Sequence, residues 1–201
     1  MRCLLCHKEL GEGSIRDILI GEDPLCQNCR KQWHRYDLNT KIQGIKIHSI
    51  YQYEDVFATC LIQYKECYDE ALKDVFLFES KKQIKRKYQG YTLCLLPSTK
   101  QRIVERGFSH LKLMFQSVGL PMLEPFEKKD ELSQKNQNYY QRQNMTDSIV
   151  LKEGIELPKK ILLCDDVITT GATIKGALKA LQGQKCKVEI LVVACAHQYY
   201  S

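Results

Sequence analysis

The sequence predicts an α/β fold, a mostly parallel sheet flanked by helices, with a small zinc-ribbon module in front of it. Three observations carry that expectation. Two CxxC pairs, Cys3/Cys6 and Cys26/Cys29, open the chain. Apolar runs at 91–96, 161–164 and 188–196 have the character of strands buried on both faces. Between the last two lie an acid pair, a turn of small residues, and Ile174, Ala177, Leu178 and Leu181 at helical spacing, with Gly183 as a stop. The unit is strand, loop, helix, strand.

Length and composition bound the rest. A chain of 201 residues has room for one domain of about 150 residues plus a small module. With 44% apolar and 27% charged residues it is an ordinary globular composition, which sets aside disordered and fibrous classes. No apolar run approaches the roughly 20 residues of a membrane span. Met1-Arg2-Cys3 is not followed by an apolar signal core, so a cytoplasmic protein without membrane insertion is expected. The net charge of +6 permits nucleic-acid contact without demanding it.

The CxxC pairs, nineteen residues apart, have the spacing of a four-cysteine zinc site with Cys3, Cys6, Cys26 and Cys29 as ligands. Four thiolates fill a tetrahedral cation, so the zinc is expected to be structural and to supply the folding energy of a segment too short to bury a core. Gly11, Gly13 and Gly21 to Pro24 mark turns within the module, and His7 and His34 read as surface residues. We expect the module to span 1–38 and the larger domain 39–201, with metal removal unfolding residues 1–35 and leaving the larger domain standing. The other six cysteines read as small buried hydrophobes.

Residues 45–51 alternate apolar and polar, which predicts a half-exposed strand; 56–64 and 71–78 are compatible with helices. Lys81, Lys82, Lys85, Arg86 and Lys87 form the densest basic cluster, either a solvated face or a contact for single-stranded nucleic acid, with Tyr88 and Tyr91 compatible with base stacking. After the strand at 91–96, Pro97-Ser98-Thr99-Lys100 make a turn at its carboxyl end, where a pyrophosphate could sit. Arg102 and Arg106 continue that segment, and Leu111, Met114, Phe115 and Val118 share one helical face. Residues 121–126 suggest a short strand, and the polar stretch 127–147 a flap or an irregular helix.

The acid pair Asp165-Asp166 and the turn Thr169-Thr170-Gly171-Ala172-Thr173 stand at the carboxyl end of a parallel strand, where open α/β sheets bind ligands. Amides at the following helix start form an anion site, the threonines add hydroxyl donors, and Gly171 allows close backbone approach. Carboxylates repel a phosphate, so they suit vicinal hydroxyls or a divalent cation instead. Phosphate plus diol means a ribose 5-phosphate. A Walker A loop is excluded because Gly176 is followed by Ala177-Leu178, and no GxGxxG occurs.

The stretch ILLCDDVITTGAT at 161–173 resembles the PRPP-binding motif of type I phosphoribosyltransferases. That resemblance implies their fold, ribose hydroxyls on Asp165 and Asp166, and the 5-phosphate within Thr169–Thr173. The chain as a whole resembles the ComF family of competence proteins, through its CxxC pairs, Tyr64-Lys65, the block from Leu96-Pro97 to Arg106-Gly107-Phe108-Ser109-His110, and Gln134 with Arg142. Where the family has RGFNQ this chain reads RGFSH, Thr99 stands for a second proline, and Asn136-Gln137 for Gly-Leu. The resemblance implies a factor of natural transformation that handles incoming single-stranded DNA beside a helicase-like ATPase and recognises PRPP or a related ribose phosphate. An alternative is an active phosphoribosyltransferase, in which Mg²⁺ enters with PRPP, Asp165 and Asp166 steady the ribose, and Lys100 and Arg106 the pyrophosphate.

Overall fold

A computed structural model of the chain describes residues 1–10, 21–128 and 149–197. Gly11, Gly13, most of the polar stretch, Gln134 and Arg142 lie outside them. Eight strands are present among the described residues: β1 Arg35–Ile42, β2 Ile45–Gln52, β3 Thr92–Leu95, β4 Met122–Leu123, β5 Phe126–Lys128, β6 Ile149–Leu151, β7 Lys160–Ile168 and β8 Lys187–Cys195. The helices are α1 Gln27–Lys31, α2 Asp55–Glu66, α3 Lys81–Lys87, α4 Lys100–Arg106, α5 His110–Gln116 and α6 Ala172–Ala180, with a 3₁₀ helix at Glu70–Asp74.

Six strands form one sheet in the order β1-β2-β8-β7-β3-β4. Every neighbouring pair is parallel except the β1–β2 hairpin. Its turn at Gln43-Gly44 has positive φ at both residues, the backbone that suits the twist of a two-residue hairpin. β5 and β6 pair antiparallel in a small separate sheet. The strand expected at 121–126 is thus split, β4 joining the main sheet and β5 leaving it. Parallel pairing needs helical crossovers and covers both faces, which is why β7 and β8 are apolar almost throughout.

Three expectations change. β2 is not half-exposed: Ile47 to Tyr51 are all buried, His48 and Ser49 included, because both faces of the strand are covered, Trp33 and Phe57 packing on Tyr51 from one of them. Residues 71–78 are not an α-helix. A 3₁₀ turn occupies Glu70–Asp74, and beyond it Val75, Phe76 and Leu77 are consecutive and fully buried. β7 continues past Cys164 through both acids to Ile168, its ladder running on to Val192 and Ala194.

The cysteine module is seated on the domain. Trp33 packs against Tyr51, Phe57 and Phe76 at ring distances of 5.4, 4.8 and 5.7 Å. Arg30 is buried, grips Asp23 through two bonds of 2.6 and 3.0 Å, and donates to the Val75 carbonyl at 2.8 Å. Cys3, Leu25, Cys29 and Trp33 belong to the same core as the sheet. The anticipated boundary after residue 38 falls within β1.

Candidate ribose-phosphate site

At the carboxyl edge of the sheet, a cavity of about 400 Å³ opens between the ends of β3 and β7 and the last turns of α2. Ser98, Thr99, Arg106, Asp165, Asp166, Thr169 and Thr173 line it, joined by Lys65, Arg102, His110 and Lys128. Thr170, Gly171 and Ala172 stand beside the wall: Gly171 has φ 72° and caps α6, and Thr170 Oγ1 accepts from the Ala172 amide at 3.3 Å. The first amides of α6 have no partner within the helix, a consequence of helical geometry that favours an anion there. Lys100 lines an adjoining cavity of about 180 Å³ instead.

Between the two carboxylates the structure makes a sharp division of labour. Asp166 is 5% exposed; its Oδ2 lies 2.8 Å from Lys65 Nζ and 2.7 Å from His110 Nε2, and its Oδ1 accepts from the Val167 amide at 2.7 Å. Burial works against its charge, but Lys65 and His110 outweigh burial and hold the carboxyl well below the usual carboxylate range. Asp165 is half-buried and has the Asp166 amide on its Oδ1 at 3.0 Å. Burial, followed by the charge of Asp166, pushes its pKa up to about 8.

Behind Asp166 a buried chain of donors fixes the geometry. Arg106 Nη1 is 2.9 Å from His110 Nδ1, and Arg106 Nε donates to the Lys65 carbonyl at 2.7 Å. A guanidinium has only donors, so Nδ1 accepts and the histidine proton sits on Nε2, facing Asp166. Burial keeps the His110 pKa below its ordinary value, despite Asp166, which fits the neutral ring this requires. Tyr64 donates to the His110 carbonyl at 2.8 Å. Arg106, expected to meet pyrophosphate, lines the cavity and also braces Lys65 and His110 through its Nε and Nη1; Arg102 and Lys128 are further cations on the cavity wall.

Sequence reasoning named Lys65 and His110 only as points of resemblance or departure. Their signal was position: one follows Tyr64 at the end of α2, the other ends the RGFSH block, and only the fold brings them to Asp166. The basic cluster occupies α3, and Lys87 reaches Asn39 of β1, so it is not part of this cavity.

At the opposite end of the chain, the four cysteine sulfurs all lie within 4.8 Å of one another. Backbone amides of Cys6, Cys26 and Leu5 outweigh burial to bring the Cys3 thiol down to about 6, whereas burial and the other three cysteines push Cys29 strongly up. Four thiols this close cannot all ionise without a cation, and a tetrahedral divalent ion is what such a donor set fits. No helix among the described residues is long and apolar enough to cross a membrane.

Comparison with known proteins agrees with this architecture. Residues 111–200 match the phosphoribosyl transferase domain family. The competence protein ComFC of Streptococcus pneumoniae (strain ATCC BAA-255 / R6) is 31% identical, over 90% of this chain and 94% of that protein. ComFC of Bacillus subtilis (strain 168) is 25% identical over 78% of this chain and 65% of its own length. A fold, a carboxyl-edge cavity, a four-cysteine cluster and a near full-length relative converge, and the chain belongs to the ComFC family of competence proteins, with a phosphoribosyl transferase domain.

Proposed function

We propose that the protein serves DNA uptake by binding a ribose 5-phosphate compound, PRPP foremost, in the carboxyl-edge cavity, while single-stranded DNA is held elsewhere and a helicase-like ATPase is its partner. The observation that supports this most is the mixture on one cavity wall: hydroxyls and helix amides for a phosphate, Arg102 and Lys128 for further anionic groups, and Asp165 for a diol. Asp166 supports the site from behind. Mg²⁺ would enter with the diphosphate and meet Asp165, whose raised pKa falls once a cation stands beside it. Zinc in the cysteine module holds the N-terminus against the core.

Titration calorimetry of PRPP with Mg²⁺ tests the reading: heat of binding is expected for the natural protein and a marked loss for Thr169→Ala with Thr173→Ala. Absence of binding to correctly folded protein overturns it. The adjoining 180 Å³ cavity, which shares Leu96, Pro97 and Ser98 with the first, favours a second reading in which an acceptor sits there and displaces pyrophosphate from C1 of the ribose. Release of pyrophosphate from PRPP, lost in Asp165→Asn, distinguishes transfer from binding alone.

A further inference from the structure

The amino edge of the sheet, opposite the cavity, carries its own concentration of charge. Lys160 at the start of β7 stands directly across from Lys187 at the start of β8, and Lys41 directly across from Lys46 beside the hairpin turn. Like charges placed opposite one another on neighbouring strands destabilise a sheet. All four side chains are exposed. α3 brings Lys87 to the same edge, where it lies 5.3 Å from the Tyr88 ring, and Lys160 and Lys187 lie 5.7 and 5.5 Å from the Tyr91 ring. Three lysines from three elements thus converge on one pair of tyrosines, whose rings meet edge to face at 5.7 Å. The acids nearby are engaged: Glu189 accepts from Tyr91 at 2.7 Å and faces Lys187 at 3.3 Å, and Asp37 is bonded to Arg35. Burial lowers the Lys87 pKa and the charge of Lys46 adds to it, against the pull of Glu189 and Asp37.

Two lysine pairs on one edge offer four exposed ammonium groups that a single polyanion can meet together. We propose that this edge, from the β1–β2 hairpin across β8 and β7 to α3, is a track for the sugar-phosphate backbone of single-stranded nucleic acid. It extends the nucleic-acid part of the proposed function, on which it rests, from one helix to the whole amino edge. Tyr88 and Tyr91 are 2% and 7% exposed, so neither ring can stack on a base, and the stacking that the sequence left open gives way to a structural role. The ammonium groups of Lys87, Lys160 and Lys187 lie over those rings on side chains that remain exposed. Binding through phosphates alone is blind to sequence and steeply dependent on salt.

Fluorescence anisotropy of labelled oligothymidylate and of a mixed-sequence strand, measured over a salt series, tests the track with Lys160→Gln/Lys187→Gln and Lys41→Gln/Lys46→Gln. Each removed lysine is expected to weaken both strands equally and to reduce the slope of log K against log salt by about 0.7. A thermal midpoint near that of the natural protein is expected for Lys41→Gln/Lys46→Gln, whereas Lys187→Gln also gives up the contact with Glu189. If DNA affinity survives both edge variants but is lost when Lys81, Lys82, Lys85 and Arg86 are neutralised, the track is overturned and helix-only binding stands. If the natural protein binds no strand at low salt, the nucleic-acid reading itself fails. Equal competition by polyglutamate overturns the assignment to nucleic acid and leaves a general polyanion surface.

Discussion

Asp165→Asn should make this protein more stable in alkali and leave it unchanged in acid. Burial and the adjacent Asp166 charge raise the Asp165 pKa from 3.8 to about 8. The folded chain therefore keeps a proton that the unfolded chain releases. Its contribution is complete below the unfolded value near 4 and disappears as pH climbs through about 8. At about 1.4 kcal/mol per tenfold change in proton affinity, the ceiling is about 6 kcal/mol. Water reaching the half-buried carboxylate through the cavity screens much of this, and we expect about 2–3 kcal/mol. Asparagine keeps an acceptor for the Asp166 amide, so the variant removes the charge and little else. Urea denaturation followed by the fluorescence of Trp33, the single tryptophan and a buried one, reads the difference directly. Titration of His110 is common to both proteins and cancels. An Asp165→Asn protein no more stable than the natural one at about pH 9, or a difference that does not vary with pH, refutes the reasoning.

His110→Ala leaves Arg106 Nη1 and Asp166 without their shared partner and should cost about 1–3 kcal/mol in the same urea assay, while His110→Gln, which can accept and donate, should recover most of it. The lowered His110 pKa means its contribution is present above about 6.5 and fades as pH falls below, so the natural protein should lose stability as pH drops below about 6.5 and His110→Gln should lose less. Reduced, purified protein should contain zinc by elemental analysis, and Cys26→Ser should abolish it. Because Arg30 and Trp33 tie the module to the core, loss of metal should lower the melting temperature of the whole chain, by about 2–4 °C for each kcal/mol lost. A main transition unaffected by chelation would show instead that the module melts alone. Trp33→Ala should destabilise by about 3–5 kcal/mol, since three aromatic neighbours lose their common contact.

Local sequence carried the parts of the site whose chemistry is local. The run at 161–164, two acids and a threonine-glycine turn announce a strand end with an anion loop, and β7, Gly171 and α6 follow that order. The CxxC spacing likewise pointed to the sulfurs that now cluster. What spacing could not convey is that Asp166 turns inward onto Lys65 and His110, residues of α2 and α5 separated from it by long stretches of chain. Pairing across a fold depends on topology, and no periodicity encodes it. Alternation misled at β2 for a related reason: His48 and Ser49 are polar yet interior, because tertiary packing covers both faces of that strand. The seating of Trp33 was equally illegible, since an aromatic between two segments belongs to whichever side packs against it.

α2 touches Trp33 through Phe57 and Asp166 through Lys65. Eight residues separate these contacts, about 12 Å along a helix axis. A rod that short does not bend, so any partner that levers the cysteine knuckle also tilts the lysine under the acid pair. Grip at one end and fit at the other are thus mechanically geared, and substitutions made at both should fail to sum.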